Sequence, residues 1–374
     1  MVQTNILIIG GYGNFGKRIC ESLIKLNDIK LIVAGRNQGE ANDLANKLNR
    51  QRENAAAALV VDGKQSDLSQ QLASSGAELL VNASGPFQNQ DYTIAQVCID
   101  AGVHYLDLAD SREFVVGIDS LDEKAKAAGV SIVSGVSTVP ALSSAVVDKY
   151  QCEFETLESY YAGITPGYQA ERGDATTAGI LSYLGQPIRV YDNGDWVKVT
   201  ALQGLHRYNY NNELGKRLLG YVDVPDLALF PKRYAGIRSV KFYSGLEIGF
   251  MHMMLWAMTW LSRWRIVKNW GEYAKPLIAI SHCFDKLGTP DGGMFIELSG
   301  KDKQGRVKKV TWHLIARNGH GPYVPTIPVV VLVKKLIAGE KFLKGAYPCM
   351  GLFTLDEFFE VAENWDIEQS VYIQ

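Results

Sequence analysis

A chain of 374 residues is too long for one ordinary hydrophobic core. Single cores stop growing near ~250 residues, so two domains are expected. Hydrophobic residues make up 47% and charged residues 21%, which excludes a disordered or fibrous chain. The 38 Lys and Arg against 40 Asp and Glu, a net charge of −2, exclude the basic footprint of a nucleic-acid binder.

The five cysteines (Cys20, Cys98, Cys152, Cys283, Cys349) are odd in number, widely spaced and without a CxxC pair. Neither a disulfide framework nor a zinc site is indicated, and a reducing compartment is expected. The N-terminus enters a strand pattern directly, without the basic and long apolar regions of a signal peptide, so a cytoplasmic protein is expected.

Apolar runs bounded by turn residues recur at Ile6–Ile9, Leu31–Ala34, Leu59–Val61, Leu79–Ala83, Tyr105–Leu108 and Ile132–Val133. Segments of helical period lie between them; in the first, Phe15, Ile19, Leu23 and Leu26 form one stripe that can pack on a sheet. Ser120-Leu-Asp-Glu123 has the capping-box pattern, and Gly129 sits where a left-handed residue ends that helix. The triplet Ala-Gly-Val appears at Ala101–Val103 and at Ala128–Val130, each time where a helix hands over to a strand. The alternation predicts an α/β fold with a doubly wound parallel sheet of six strands.

After about Tyr150 the segments become longer and more aromatic, with charged turns at Asp192–Asp195 and Lys301–Arg306. The second turn joins Phe295–Leu298 to Val307–Leu314 as an antiparallel hairpin, which indicates an α+β domain. Gly321-Pro-Tyr-Val-Pro-Thr-Ile-Pro328 leads into an apolar helix from Val329 to Ile337, ending at Gly339, where a domain return is expected.

Gly11-Tyr-Gly13-Asn-Phe-Gly16 follows the first strand and opens an amphipathic helix. In that context Gly11 allows the tight turn, Gly13 lets the backbone approach a pyrophosphate, and Gly16 lets helix and strand pack closely. The free amides of the helix N-terminus then meet the anion. Tyr12, Asn14 and Phe15 belong to the same loop. The second strand ends in Arg36-Asn37, about 20 residues past the last motif glycine, where an NAD enzyme carries an acid for the ribose 2′-hydroxyl. Arginine there suits the 2′-phosphate of NADP; a solvated loop arginine is the plainer reading. Asp62, ending the third strand, is a candidate for the adenine edge or a simple helix cap. The fourth strand runs into Asn82-Ala-Ser84-Gly85-Pro86-Phe87, a turn of small residues suited to pass beside the nicotinamide half, or an ordinary Gly-Pro turn. NADP is therefore the expected cofactor, with NAD as the alternative.

These segments resemble the saccharopine dehydrogenase family. The likeness is carried by GGYGNFGKRI at Gly10–Ile19, AGR at Ala34–Arg36, NASGPF at Asn82–Phe87, AGVHYLDLADSREF at Ala101–Phe114 and SGVSTVPALSSAVVD at Ser134–Asp148. It continues in GDATTAG at Gly173–Gly179 and GHGPYVPTIPVVVLVKKLIAG at Gly319–Gly339. The resemblance implies a Rossmann domain over 1–150, an inserted α+β substrate or dimerisation domain over 151–325, and a segment, 326–374, that returns to complete the Rossmann domain. It also implies a homodimer and an oxidoreductase that reduces an imine formed between an amino group and a carbonyl, or runs the reverse, with NADPH or NAD and no metal. The inserted domain shows no clear set of residues for a dicarboxylate amino acid.

Hydride transfer needs orientation and one proton donor or acceptor near the reacting carbon. The densest group of titratable residues at a strand end is His104-Tyr105-Leu-Asp107-Leu-Ala-Asp110. Strand alternation puts Tyr105 and Asp107 on one face, as site residues or as structural hydrogen-bonding groups. Arg172, before a helix that Asp174 is placed to cap, is a candidate anion clamp or a solvated surface residue. His313 and His320 are candidates for acid-base work or for satisfied structural positions.

Phe250–Leu261, followed by Ser262-Arg-Trp-Arg265, repeats tryptophan at 256, 260 and 264 beside a narrow polar stripe of His252, Thr259, Ser262 and Arg263. Its apolar run is shorter than the ~20 residues that span a bilayer. It reads as a core or dimer-interface helix, an apolar pocket wall, or a peripheral membrane contact. The reading as a whole is an NADP-dependent oxidoreductase acting on an imine, carbonyl or activated double bond of a small molecule. The alternatives are a catalytically silent nucleotide-binding sensor or scaffold and a polyamine-type synthase using the same cofactor.

Overall fold

The computed structural model describes residues 3–61, 65–171, 173–210 and 214–374. The chain divides into two compact units, Met1–Leu142 with Pro325–Phe353, and Ser143–Val324 with Thr354–Gln374.

In the first unit, all six expected strands form: β1 (Thr4–Ile9), β2 (Ile29–Gly35), β3 (Ala56–Val60), β4 (Leu79–Asn82), β5 (His104–Asp107) and β6 (Ser131–Ser134). They pair in the parallel order β6, β5, β4, β1, β2, β3. Ile6, Leu7 and Ile8 of β1 are fully buried, as a strand covered on both faces requires. The order reverses between β1 and β4, the topological switch point at whose carboxyl edge such sheets bind ligands.

A seventh strand, Gly345–Pro348, pairs parallel to β6 and was not expected. Its four residues include a glycine and a proline and carry no alternation. What places it is a return contact, in which the Ala346 amide donates to Asp122 Oδ1 at 3.0 Å. Gly102 and Gly129 both take φ +69° and end their helices where the Ala-Gly-Val triplets predict. The expected capping box at Ser120 does not form. Ser120 Oγ donates instead to the Gly117 carbonyl, inside a 3-10 turn, and the helix begins at Asp122.

The second unit holds β7 (Thr156–Thr165), β8 (Pro187–Asp192), β9 (Asp195–Thr200), β10 (His206–Asn209), β11 (Lys216–Tyr221), β12 (Ser239–Ser244), β13 (Gly292–Lys301) and β14 (Val307–Ala316). The sheet runs β10, β11, β12, β7, β13, β14 and then the last strand, Ile367–Ile373. Strands β7 and β12 are parallel, and β13 and β14 form the expected hairpin. Tyr160, Tyr210, Phe230, Phe242, Phe295 and Trp312 fill its core.

The C-terminal segment divides between the units, which corrects the expectation that 326–374 returns as one piece. The Ile327–Ile337 helix and Gly345–Pro348 belong to the first unit, whereas Ile367–Ile373 pairs antiparallel to β14. Trp312 Nε1 donates to Gln369 Oε1 across that pairing. The Leu355–Ala362 helix that leads there carries the capping box, Thr354 with Glu357.

Candidate functional site

The glycine loop lies at the switch point. The left-handed residue of its turn is Gly10, with φ +73°, rather than Gly11. A Cβ on Gly10 would also stand 3.0 Å from the Ala83 carbonyl. At Gly11 a Cβ would fall 2.9 Å from the Ile8 carbonyl oxygen, so that glycine serves close packing. The Gly13 amide donates to the Gly10 carbonyl at 2.9 Å, and Gly16 sits so close that a Cβ would lie 2.1 Å from the same oxygen.

The Asn14–Leu23 helix starts from Gly13 with no side-chain cap and no acid in its first turn. Its N-terminal amides and positive dipole end therefore suit an anion. A Cβ at Gly13 would narrow this cradle, standing 3.1 Å from the Gly10 carbonyl oxygen. The residues present fit a dinucleotide pyrophosphate. Phe15 is half-buried, and Asn14 binds the Arg18 guanidinium.

Tyr12 reaches across to β2. Its hydroxyl accepts from the Asn37 amide at 2.9 Å, and its ring covers Gly35, where a Cβ would meet it at 2.3 Å. Arg36, between them, is exposed and makes no ion pair among the described residues. The Asn37 side chain caps the Gln38–Asn49 helix, accepting from Gly39 and Glu40. Asp62 and Arg172 lie outside the described residues. Gly173 takes the cap position of the Asp174–Ser182 helix that Asp174 was expected to fill.

At the end of β4, buried Asn82 organises the next loop. Its Nδ2 donates to the Tyr105 hydroxyl at 3.2 Å, and its Oδ1 accepts from the Ser84 amide at 3.1 Å and the Ser84 hydroxyl at 2.6 Å. The Gly85-Pro86 peptide is cis, and Gln90 Nε2 donates to the Ser84 and Pro86 carbonyls. Phe87 is buried against Phe114. Asn82 and Tyr105, with Gln90, Asp91, Thr93 and Ile94, line a cavity of about 240 Å³.

Asp107 is fully buried. Its Oδ1 accepts from the Ala109 amide at 2.9 Å, the Ser134 hydroxyl at 2.9 Å and the Gly135 amide at 2.8 Å, tying β5 to the end of β6. Its Oδ2 has no hydrogen-bond partner of good geometry. Burial outweighs these donors and pushes the carboxyl up to about 6. Burial, with the Asp107 charge second, holds the Tyr105 hydroxyl well above its ordinary range, so it stays protonated. In the sequence Gly10, Asn82, Ser134 and Gly135 stand only as members of longer motifs, and nothing local singles them out as site residues.

In the second unit, His313 is buried with Nε2 2.7 Å from the Tyr208 hydroxyl, and His320 Nδ1 accepts from the Asp366 amide. Both rings thus make a hydrogen bond within the second unit. Asp226 accepts from the Tyr160 hydroxyl at 2.7 Å and is pushed up to about 7 by burial.

A parallel sheet with a glycine cradle at its switch point and an uncapped helix facing it defines a dinucleotide-binding protein of the Rossmann class. The model of the saccharopine dehydrogenase NADP binding domain matches residues 6–133. A carboxyaminopropylagmatine dehydrogenase of Synechocystis is 23% identical over 290 residues, covering 74% of this chain and 71% of its own. The apo saccharopine dehydrogenase (L-Glu forming) of Saccharomyces cerevisiae has the same fold, with a TM-score of 0.68, 12% identity, and 99% and 100% of the two chains covered. The chain is an NAD(P)-binding oxidoreductase similar to the saccharopine dehydrogenases, and residues 6–133 of its first unit match their NADP-binding domain.

Proposed function

We propose that the protein is an NADP-dependent oxidoreductase transferring hydride to or from an imine, carbonyl or activated double bond of a small molecule. The observation that carries this reading is the open glycine cradle at Gly10–Gly16 with exposed Arg36 at the end of β2, where a carboxylate would repel a 2′-phosphate. Both named relatives are dehydrogenases, which supports the same reaction class. The imine is the preferred acceptor, because the family resemblance runs through reductases of that bond.

A bound nicotinamide supplies or accepts the hydride. The chain's own work is then to hold and orient. The amides after Gly13 bind pyrophosphate, Tyr12 fixes Asn37 so that Arg36 is held at the ribose end, and Asn82 shapes the Ser84–Phe87 turn. The Tyr105 hydroxyl at the cavity wall is the candidate proton donor, kept neutral by burial. Asp107 acts through Tyr105 and through the β5–β6 connection, as a positioning residue.

Direct titration tests the cofactor assignment. NADPH is expected to bind with quenching of the protein's tryptophan emission and more tightly than NADH. A chain that binds neither nucleotide would sink the proposal.

A further inference from the structure

Trp256, Trp260, Trp264 and Trp270 are four of the chain's seven tryptophans, and Met251, Met253, Met254 and Met258 are four of its seven methionines. They lie on the Gly249–Arg263 helix and the turn after it, in the second unit. An amphipathic helix ordinarily turns its apolar stripe inward. This one does the reverse, since its buried residues are His252, Thr259 and Ser262.

The inward face is fixed by hydrogen bonds. Gln203 Nε2 donates to Thr259 Oγ1 at 2.9 Å, Trp270 Nε1 donates to Ser262 Oγ at 2.9 Å, and Gly185 packs so tightly that a Cβ would stand 2.7 Å from the Thr259 carbonyl oxygen. The helix cannot roll without breaking them. Large apolar side chains are therefore held outward: Phe250 is 46% exposed, Met254 53%, Trp264 65% and Ile266 66%. Ile280 and Leu287, on the segment that follows, are 54% and 65% exposed. Trp256, Trp260 and Trp264 form a ladder along the helix, with successive centroids 6.0 and 6.1 Å apart.

Charge identifies the occupant. Residues 249–288 carry Arg263, Arg265, Lys268, Lys275 and Lys286 against Glu272 and Asp285, in a chain whose net charge is −2. The cations interleave with the apolar groups, Trp264 lying between Arg263 and Arg265 with Ile266 next. Protein interfaces deplete lysine at their apolar centres. Tryptophan mixed with Lys and Arg on a helix is instead the composition that settles in the headgroup layer of a bilayer. No helix among the described residues is long and apolar enough to cross a membrane, so the helix would lie in the plane of the surface.

We infer that this face docks reversibly on anionic lipid bilayers, with Trp264 and Ile266 entering the headgroup layer and Arg263, Arg265 and Lys268 meeting lipid phosphates. The test uses the full chain with vesicles of phosphatidylcholine alone or mixed equally with phosphatidylglycerol. Co-sedimentation is expected with the anionic vesicles, falling with added salt, and brominated lipid is expected to quench tryptophan emission. Trp264→Ser with Ile266→Ser, and Arg263→Glu with Arg265→Glu, change only exposed residues and are expected to keep the wild-type melting temperature. Each pair should weaken binding about tenfold or more. Absence of binding to anionic vesicles, or equal binding by both variants, overturns the inference. So does a dimer that both variants dissociate in a chain that ignores vesicles, because the face then belongs to a second copy.

Discussion

The Tyr12 hydroxyl accepts a hydrogen bond from the Asn37 backbone amide at 2.9 Å. A residue inside the glycine loop thus ties down the strand end that carries Arg36, and links the proposed pyrophosphate cradle to the proposed 2′-phosphate contact. Tyr12 can do this only because position 35 is glycine.

From this coupling, Arg36→Ala should weaken NADPH binding by about tenfold to a hundredfold, the range of a lost charged hydrogen bond, while NADH binding changes little. Isothermal titration of the variant with both nucleotides checks it. Equal losses would remove Arg36 from the 2′-phosphate.

Two glycine substitutions should separate close packing from backbone freedom. Gly16→Ala drives a Cβ into the Gly10 carbonyl, whose backbone cannot step aside, and should cost about 1–3 kcal/mol or more together with NADPH affinity. Gly129→Ala meets open space but must hold φ +69°, and should cost about 1–2 kcal/mol with NADPH binding intact. Denaturant melts and nucleotide titrations on the two variants read the contrast; a Gly16→Ala protein of native stability and affinity contradicts it.

Asp107 supplies a pH signature. Its folded carboxyl stands at about 6 against an ordinary 3.8, so between those values the folded state holds a proton that the unfolded chain has lost. Stability therefore falls as pH rises through that window, by about 3 kcal/mol in all from this group. Asp107→Asn keeps an oxygen for the Ala109, Ser134 and Gly135 donors and removes the titration. Relative to the parent, the variant should gain stability steadily from pH 4 to pH 6 in urea melts. A constant difference across that range would show that Asp107 does not titrate there.

The legible parts of the sequence were those with local chemistry. Hydrophobic period placed β1 to β6, the left-handed Gly102 and Gly129 marked helix ends, and the cradle announced itself through spacing after a strand. What escaped depends on partners far along the chain. Gly345–Pro348 is a strand because β6 and Asp122 accept it, and nothing in Gly-Ala-Tyr-Pro says so. Asn82 matters through Tyr105 and Ser84, the first of which only the fold brings near. On the tryptophan helix the stripe was visible but not its direction, which Gln203, Trp270 and Gly185 decide by gripping the polar side.

The same inward face carries an acid-sensitive group in His252, only 1% exposed. Burial pushes its imidazole down to about 4 from 6.5, with a partial offset from the Leu219 backbone. Below pH 6.5 the unfolded chain binds a proton that the folded chain refuses, so stability falls on acidification until about pH 4. The sign is opposite to that of Asp107, and the two are separable only as differences between variant and parent. Between pH 7 and pH 5 the loss from His252 amounts to about 2 kcal/mol. His252→Leu removes the proton site while keeping a buried side chain of similar size. In urea melts the variant should gain about 2 kcal/mol on the parent over that interval, whatever its offset at pH 7. An unchanged difference would mean that the imidazole already finds water or a proton acceptor in the folded state.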